Sequence, residues 1–393
     1  MFMVYYAYLI TEREPHMKKL KFTFILIISV VTLCACGPQN DATDSNPEPT
    51  GSESPPDSLH PADSSTQPED DSLPPREGMV HSRLTNEWVD KSVADTRPIA
   101  VMMPNEQNAQ PHYSLSKASV IYEANVEGRM TRLLALYEDW QDLEKTGNVR
   151  SLRTYFAYWA FEWDALILHI GHPYYVDELI AAPDTQTINE SNYPDSEAFY
   201  RDESRSRPHN AYVTGEKILN AVNRKGYPLE YRGLADDSHF QFTGPSAQNT
   251  LEQYGTAAQS AVYIDMSGCY PVTRCYFEYH PEDGLYYRSQ YLSGGSDGPH
   301  IDGATGEQLC FKNILVQNTK ARDLGDGYLA FDCTDNTEDG WFFTNGKGIH
   351  VTWSKSSDYG ATRYYDDNGK EITLNTGKTM ICIVQAGDNF TFR

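Results

Sequence analysis

The segment that most restricts what this chain can fold into lies near its start and ends in a cysteine. Residues 17–21 are basic, residues 22–33 are apolar, and the small residue Ala35 precedes Cys36. A basic start, an apolar run well short of the ~20 residues that span a bilayer, and a small residue at the end are typical of a secretory signal. We therefore expect residues 17–35 to be a lipoprotein signal peptide and Cys36 to be the acylated residue.

Two other interpretations of this segment are weaker. A single transmembrane anchor needs a longer apolar run, and acylation of Cys34 would place the bulky Leu33 next to the cleavage site. Residues 1–16 would bury the basic start of the signal inside the chain, so we interpret them as a mis-annotated extension with translation starting at Met17. The expected location is the extracytoplasmic face of the cell membrane, held by lipid.

Residues 36–80 have the composition of a disordered tether. Between Gly37 and Gly78 there are nine prolines, ten acidic residues and one basic residue, with hardly any large apolar side chain. Such a segment cannot bury enough surface to offset the entropy of ordering it. The chain as a whole carries a formal charge of −23, which disfavours nucleic acid as a partner.

The remaining residues predict an α+β protein with two domains. Residues 81–240 alternate strand-like and helix-like segments, which is typical of a mixed α/β domain. Residues 241–393 contain short alternating runs separated by Asn-Gly, Asp-Gly and Gly-Gly turns, which predict a smaller, all-β domain built as a sandwich or barrel. We expect the boundary, near residues 234–260, to separate two independently folding units.

Specific elements follow from the same patterns. Expected strands in the first domain lie at 98–103, 120–126, 132–138 and 165–170, with helices at 151–162, 174–182 and 214–224. Thr214 is the expected N-cap of the last helix. Expected strands in the second domain lie at 262–264, 275–279, 285–288, 313–317, 341–343, 349–353 and 380–384.

The cysteines after Cys36 number five, and none has a CxxC or Cys/His metal spacing. We expect buried free thiols, while a hairpin disulfide between Cys269 and Cys275 stays open as an alternative. The sequence predicts no metal site and no cofactor.

Ionisable residues gather at the predicted strand ends and helix starts of the first domain. Arginines at a helix start suit phosphate or carboxylate ligands, because their donors and the helix dipole favour the same charge. Ion pairs between these arginines and neighbouring glutamates are the structural alternative. The candidate ligand-binding residues are Arg132, Arg150, Arg153, Arg207, His209 and Asn210; the candidate acid–base residues are Glu123 and Glu127; the weaker candidates are His169 and His172.

Several stretches of the chain resemble the YerB-like lipoproteins. They lie at 97–105, 114–123, 126–128, 131–132, 149–155 and 207–210 in the first half and at 299–302, 305–307, 313–317, 351–353 and 362–365 in the second. The resemblance implies an N-terminal α/β-type domain followed by a β-rich domain, anchored outside the cell. It implies no particular reaction.

Two hypotheses about function follow. The first is a lipoprotein that binds an anionic cell-envelope glycan or peptidoglycan component on Arg132, Arg150, Arg153 and Arg207, with an envelope polymer or envelope protein as partner. The second is an envelope enzyme, either a hydrolase that uses Glu123 or Glu127 or a phosphotransferase that uses the arginines. Two carboxylates about 5 to 9.5 Å apart in a cleft would favour glycosidic chemistry, whereas carboxylates that each pair with an arginine would favour a structural network.

Overall fold

The computed structural model of the protein describes residues 76–244, 247–292 and 295–393. The predictions for residues 1–75, among them the signal, the acylated Cys36 and most of the tether, concern residues outside these ranges. The last residues assigned to the tether, Met79 and Val80, belong to a strand, so regular structure starts slightly earlier than expected.

Helices are few and short. The α-helices of the described ranges are α1 (Lys91–Ala94), α2 (Thr154–Phe161), α3 (Asp177–Ala181) and α4 (Gly215–Lys225). Short 3-10 helices lie at Gln107–Ala109, Leu115–Lys117, Glu127–Arg129, Tyr174–Val176, Asp195–Ala198 and Glu252–Ala257.

Strands make up most of the regular structure. Those of the first region are β1 (Met79–His81), β2 (Trp88–Asp90), β3 (Ile99–Pro104), β4 (Val120–Asn125), β5 (Thr131–Tyr137), β6 (Thr146–Gly147), β7 (Leu166–His169), β8 (Thr187–Asn189), β9 (Phe199–Arg201) and β10 (Ala211–Val213). Those of the second are β11 (Gln259–Ser260), β12 (Tyr263–Asp265), β13 (Tyr276–His280), β14 (Leu285–Tyr291), β15 (Asp297–Pro299), β16 (Cys310–Phe311), β17 (Asn313–Thr319), β18 (Ala321–Asp323), β19 (Leu329–Phe331), β20 (Asp335–Thr344), β21 (Lys347–Lys355), β22 (Arg363–Tyr365), β23 (Thr379–Gln385) and β24 (Thr391–Phe392).

One eleven-stranded sheet runs through both regions. Its order is β11-β21-β20-β17-β23-β4-β5-β3-β7-β8, with β22 added beside β21. β17, β23 and β4 are parallel neighbours, as are β3, β7 and β8, and the antiparallel β5 lies between the two groups. These six parallel strands therefore point the same way, and we call the edge at which β3, β4, β7 and β8 end the carboxyl edge.

Both faces of this sheet are covered. Alternate residues of β3 enter different apolar clusters, with Val101 and Met103 on one face and Ala100 and Met102 on the other. α2 packs on the second face, while α4 and a six-stranded antiparallel sheet built from β12 to β16 and β24 pack on the first. Because both faces of the sheet are buried, the central strands consist of continuous runs of apolar residues.

The predicted fold class is confirmed: a mixed region with strands and helices precedes an all-β region. Two details differ from the expectation. The all-β region forms no closed barrel, and its central strands continue the sheet of the first region through the pairing of β23 with β4. Side-chain periodicity identifies strands but not their partners, so this shared sheet could not be predicted from the pattern.

The cysteines and turns agree with the sequence predictions. Cys269, Cys275, Cys310, Cys333 and Cys382 are all free thiols, so the alternative disulfide is not formed. Asn345 and Gly346 both have positive φ in the turn between β20 and β21, as a two-residue hairpin turn requires. Among the described helices, none is long and apolar enough to cross a membrane.

Candidate functional site

The carboxyl edge of the central sheet collects most of the candidate residues. Glu127 follows β4, Arg132 lies near the start of β5 opposite Pro104 of β3, and His169 ends β7. In open sheets with parallel strands, ligands bind in the crevice outside the carboxyl ends of the strands. These residues therefore lie at the edge of the sheet where folds of this kind commonly bind ligands.

The segment that carries Arg150 and Arg153 is extended, which corrects the predicted helix start at residue 151. The Arg150 N–H donates to Met102 O (2.8 Å), and Arg150 O accepts from Ile170 N (3.0 Å), so the segment lies between the diverging ends of β3 and β7. α2 begins only at Thr154, with Arg153 at its N-cap. The two arginines therefore do not share a helix face, and the dipole argument does not extend to Arg150.

Arg153 is paired with Glu127. Its guanidinium donates Nε to Oε1 (2.6 Å) and NH2 to Oε2 (2.7 Å), a bidentate pair in which the arginine side chain is 6% exposed and the glutamate 23%. Burial by itself raises the pKa of Glu127, but the Arg153 guanidinium outweighs it and holds that pKa below its ordinary value. The ion-pair alternative considered from the sequence thus applies to these two residues.

Arg132 lies beside this pair without a carboxylate of its own. Within the described ranges its guanidinium has no carboxylate oxygen within 4.0 Å, and its NH1 donates to the backbone oxygen of Ser151 (2.5 Å). The pKa of Arg132 is lowered to about 10, mainly by burial and also by the neighbouring positive charges of Arg153 and Arg150, while Glu127 acts in the opposite direction. A half-buried cation among other cations is poised to accept an anion.

Arg150 and His209 share one acid, Glu106. Arg150 NH2 lies 3.6 Å from Glu106 Oε1, and His209 Nε2 lies 3.4 Å from the same oxygen. Burial lowers the pKa of Arg150, and the positive charge of Arg201 adds to this effect. Asn210 is buried and accepts a hydrogen bond from Arg201 NH1 (3.1 Å).

The last predicted arginine, Arg207, is separate from this group. It is exposed, and no ion pair of its side chain is found in the described part of the chain. The structure therefore brings together Arg132, Arg150, Arg153 and His209, places Asn210 next to them through Arg201, and leaves Arg207 on the outer loop.

Two histidines at the same edge have unsatisfied ring nitrogens. His169 is fully buried; its Nδ1 lies 2.9 Å from Gly171 O, and its Nε2 is buried without a partner in the described residues. His172 contacts Asp177 Oδ1 through Nε2 (2.9 Å), and its buried Nδ1 has no partner there either. Burial lowers the pKa of His169 to about 4, so its ring is neutral at pH 7.

His209 adds a third such atom, because its Nδ1 is also buried without a hydrogen-bond partner among the described residues. Native proteins rarely leave buried polar atoms unsatisfied, so each one calls for a ligand or an ordered water. Three of them lie at one sheet edge, beside an arginine that has no carboxylate oxygen within 4.0 Å in the described residues.

Glu123 lies elsewhere, in the core. Arg288 NH2 donates to its Oε2 (2.8 Å), and Asn105 Nδ2 (2.8 Å) and Thr131 Oγ1 (2.7 Å) donate to its Oε1. The side chains of Glu123 and Arg288 are 0% and 1% exposed. A carboxylate held this way cannot reach a substrate, so this placement does not support an acid–base role for Glu123.

The network continues beyond Arg288 through residues that the sequence analysis did not select. Arg288 NH1 lies 2.5 Å from His300 Nδ1, and His300 Nε2 lies 2.9 Å from His112 Nδ1. Burial lowers the pKa of His112 to about 4 and that of His300 well below its ordinary value. Both histidines are solitary in sequence, and only the contact between the two regions brings them together.

A second buried carboxylate was also missed. Glu162 accepts from Tyr122 OH (2.5 Å), Thr362 Oγ1 (2.7 Å) and Lys355 Nζ (3.3 Å), and both members of its pair with Lys355 are fully buried. Although burial raises its pKa, Lys355 and His239 hold the pKa of Glu162 far below the ordinary range. This network too joins the two regions.

No cluster of three or more His, Cys, Asp or Glu side chains suitable for a metal ion is found within the described ranges.

Two open cavities, of about 440 and 460 Å³, are lined by residues that are not among the candidate site residues. The first is lined by Asn249, Tyr254 and Asp366, among others, and the second by Asp283, Lys312 and Lys378, among others.

Comparison with known proteins gives two kinds of match. Residues 84–228 match the family model for the N-terminal domain of "Protein of unknown function (DUF3048)", and residues 265–381 match the model for its C-terminal domain. The chain is 27% identical over 316 residues to "Putative lipoprotein YerB" of Bacillus subtilis (strain 168), over 80% of this chain and 89% of that protein. The crystal structure of YerB protein from Bacillus subtilis is similar with a TM-score of 0.65 and 25% identity, over 78% of this chain and 96% of that chain. The resemblance to YerB-like proteins is confirmed.

Proposed function

The chain belongs to the DUF3048 family, and from its carboxyl-edge site we propose that it is a membrane-anchored extracytoplasmic lipoprotein that binds an anionic group of a cell-envelope glycan or peptidoglycan. The lipoprotein assignment rests on the signal-like residues 17–36 and on the name of the Bacillus subtilis relative, "Putative lipoprotein YerB". The ligand assignment rests on the arginines and unsatisfied nitrogens of the carboxyl edge.

The observation that carries this proposal is Arg132. Arg153 is neutralised by Glu127 and Arg150 is near Glu106, but the guanidinium of Arg132 lies beside both arginines with no carboxylate within 4.0 Å in the described residues. Its charge is costly in this position, because burial and like charges both disfavour it. A phosphate or carboxylate of a ligand would supply the missing countercharge and form charge-assisted hydrogen bonds.

The pairing of the two candidate acids, Glu123 and Glu127, supports a binding function over a hydrolase. Glu123 is bonded by Arg288 and Glu127 by Arg153, so each carboxylate is paired with an arginine. This is the arrangement expected of a structural network, whereas glycosidic chemistry needs two free carboxyl groups facing a cleft.

The test is a pelleting assay with the full-length protein in detergent. Peptidoglycan that keeps its covalently attached anionic polymer, and peptidoglycan stripped of it, are the two probes. We expect the wild type to pellet with the first, and the substitution Arg132→Gln to weaken this association by about tenfold or more, because one charge-assisted contact is lost.

The control is the substitution Arg322→Gln, which removes an exposed arginine from the surface pair with Asp332. It should pellet like the wild type. The melting temperature of Arg132→Gln should equal or exceed that of the wild type, because a poorly compensated charge is removed. Unchanged pelleting of a folded Arg132→Gln variant would refute the proposal.

A further inference from the structure

A row of three tyrosines leads outwards from the arginines of the carboxyl edge. The guanidinium of Arg153 lies 5.6 Å from the ring centre of Tyr328. The ring centroids of Tyr328 and Tyr175 are 5.2 Å apart, and those of Tyr175 and Tyr174 are 5.8 Å apart. We call Tyr174, Tyr175 and Tyr328 the tyrosine row.

Both regions of the chain contribute to this row. Tyr174 and Tyr175 lie in the 3-10 helix Tyr174–Val176, which follows β7, while Tyr328 lies between β18 and β19 of the second region. Burial raises the pKa of the Tyr175 hydroxyl, while the positive charges of Arg153 and Arg132 lower it. The tyrosine row therefore lies next to the arginine site, in contact with it through Arg153 and Tyr328.

The outermost ring of the row, Tyr174, is exposed to solvent, and the hydroxyl of the middle tyrosine, Tyr175, has no hydrogen-bond partner among the described residues. Tyr174 is 74% exposed, which is unusual for a large aromatic ring that packs against a neighbour. The hydroxyl oxygen of Tyr175 is buried and has no hydrogen-bond partner in the described part of the chain. The exposed ring of Tyr174 therefore offers an apolar platform to a ligand.

We propose that the tyrosine row is a saccharide subsite, in which one sugar ring of an anionic glycan stacks on Tyr174 while a phosphate or carboxylate carried further along the same glycan binds Arg132. This inference rests on the proposed function and names the ligand class of the same site. A pyranose ring has an apolar C–H face that covers an aromatic ring, so the exposed ring of Tyr174 finds a partner. The combination selects an anionic sugar over an anion without a ring.

Two phosphate esters of the same type separate the two parts of the site. The 1-phosphate of a linear trisaccharide of N-acetylglucosamine carries two further sugar rings beyond the one next to its phosphate, whereas glycerol 1-phosphate carries the phosphate alone. We expect the full-length wild-type protein to bind the sugar ester about three- to tenfold more tightly in a calorimetric or NMR titration, a gain of the size that a single aromatic contact supplies.

Substitutions at the row test where this preference arises. Tyr174→Ala should reduce the affinity ratio of the two esters to about one, while Tyr174→Phe, which keeps the ring, should preserve it. Tyr193→Ala is the matched control, because Tyr193 is 83% exposed and has no ring contact with the row in the described residues. It should also preserve the ratio.

The outcomes distinguish this inference from the proposed function. If the wild type binds both esters equally, or if Tyr174→Ala retains the preference, the saccharide subsite is refuted while the arginine site stands. If the wild type binds neither ester and does not pellet with anionic peptidoglycan, the proposed function itself is refuted.

Discussion

At the scale of single residues, burial decides what the ionisable side chains of this protein can do. Glu123 and Glu127 lie four residues apart and both pair with an arginine, but Glu123 is fully buried and Glu127 is 23% exposed. The sequence predicted that arginines and glutamates would meet, and it named Glu127 with Arg153 correctly as an option. It could not predict Arg288 as the partner of Glu123, because that contact spans 165 positions of the chain.

Breaking the buried pair of Glu123 and Arg288 should destabilise the protein strongly. In Glu123→Ala the Arg288 guanidinium would stay buried without its countercharge, and such losses cost about 3–5 kcal/mol in free energy of unfolding. Urea unfolding followed by tryptophan fluorescence measures this change.

The comparison is with an exposed pair. Arg224→Ala removes the partner of Glu197 at the surface, where the arginine is 34% exposed and the glutamate 53%. Its free energy of unfolding should change by less than about 1 kcal/mol. If both variants lost a similar free energy of unfolding, the buried pair of Glu123 and Arg288 would contribute no more to stability than an exposed ion pair.

The buried histidines should make the protein less stable in mild acid. Burial lowers the pKa values of His112 and His169 to about 4, while histidines of the unfolded chain titrate near their ordinary pKa of 6.5. Above pH 6.5 both states are neutral and the stability is fully present. As the pH falls from 6.5 towards 4, the unfolded chain takes up protons that the folded chain does not, so stability is lost by up to ~1.4 kcal/mol per pH unit and histidine.

Denaturant unfolding at a series of pH values between 7.5 and 4.5 checks this slope. The substitution His169→Gln should flatten it, whatever its effect on the stability at pH 7.5, because one of the groups that titrate in the unfolded state is gone. A variant with the same slope as the wild type would show that His169 titrates normally in the folded protein.

At the scale of elements, the sequence predicts the bounds of a helix best where its periodicity and its capping residues agree. α4 was expected at 214–224 and is found at Gly215–Lys225, with Thr214 as N-cap and Gly226 in the left-handed conformation after its end. The helix expected from residue 151 starts only at Thr154, because the N–H groups of Arg150 and Leu152 bond to the backbone oxygens of Met102 and Gly171. Tertiary hydrogen bonds at the sheet edge override the local helical period there.

The N-cap of α4 gives a prediction at this scale. The Thr214 side chain accepts a hydrogen bond from the Lys217 N–H (3.2 Å), which would otherwise be unpaired at the helix start. Thr214→Ala should lower the free energy of unfolding by about 1 kcal/mol, and Thr214→Ser, which keeps the hydroxyl, should restore most of it. Thermal melts of the three proteins measure the difference; a serine variant no better than the alanine variant would rule out capping as the cause.

At the scale of the whole molecule, the two matched family regions share one sheet. The sequence pattern identified the change from a mixed to an all-β region, because periodicity is a local property. It did not reveal that β23, near the end of the chain, inserts next to β4, since nothing local in residues 379–385 specifies a parallel partner more than 200 positions away. The carboxyl-edge site depends on this arrangement, because Tyr328 reaches it from the second region.

The shared sheet leads to a prediction that differs from the two independent units expected from the sequence. Residues 76–244 expressed alone would leave β4 with an open edge, and residues 247–393 alone would do the same to β23, whose residues are buried from Thr379 to Val384. Each piece would also lose one side of the buried pairs Glu123–Arg288 and Glu162–Lys355. An unpaired apolar strand with buried charges lacking partners is unstable in water.

We therefore expect neither piece to melt cooperatively alone, while the two pieces produced together should form a complex with a cooperative transition. Circular dichroism with temperature and the dispersion of amide signals in NMR spectra measure both properties. The control is a full-length chain cut within residues 244–247, which should keep the wild-type fold because the cut leaves every strand of the described residues intact. Cooperative melting of either piece by itself would mean that the central sheet assembles from two preformed halves, and that the pairing of β4 with β23 joins domains that are already folded.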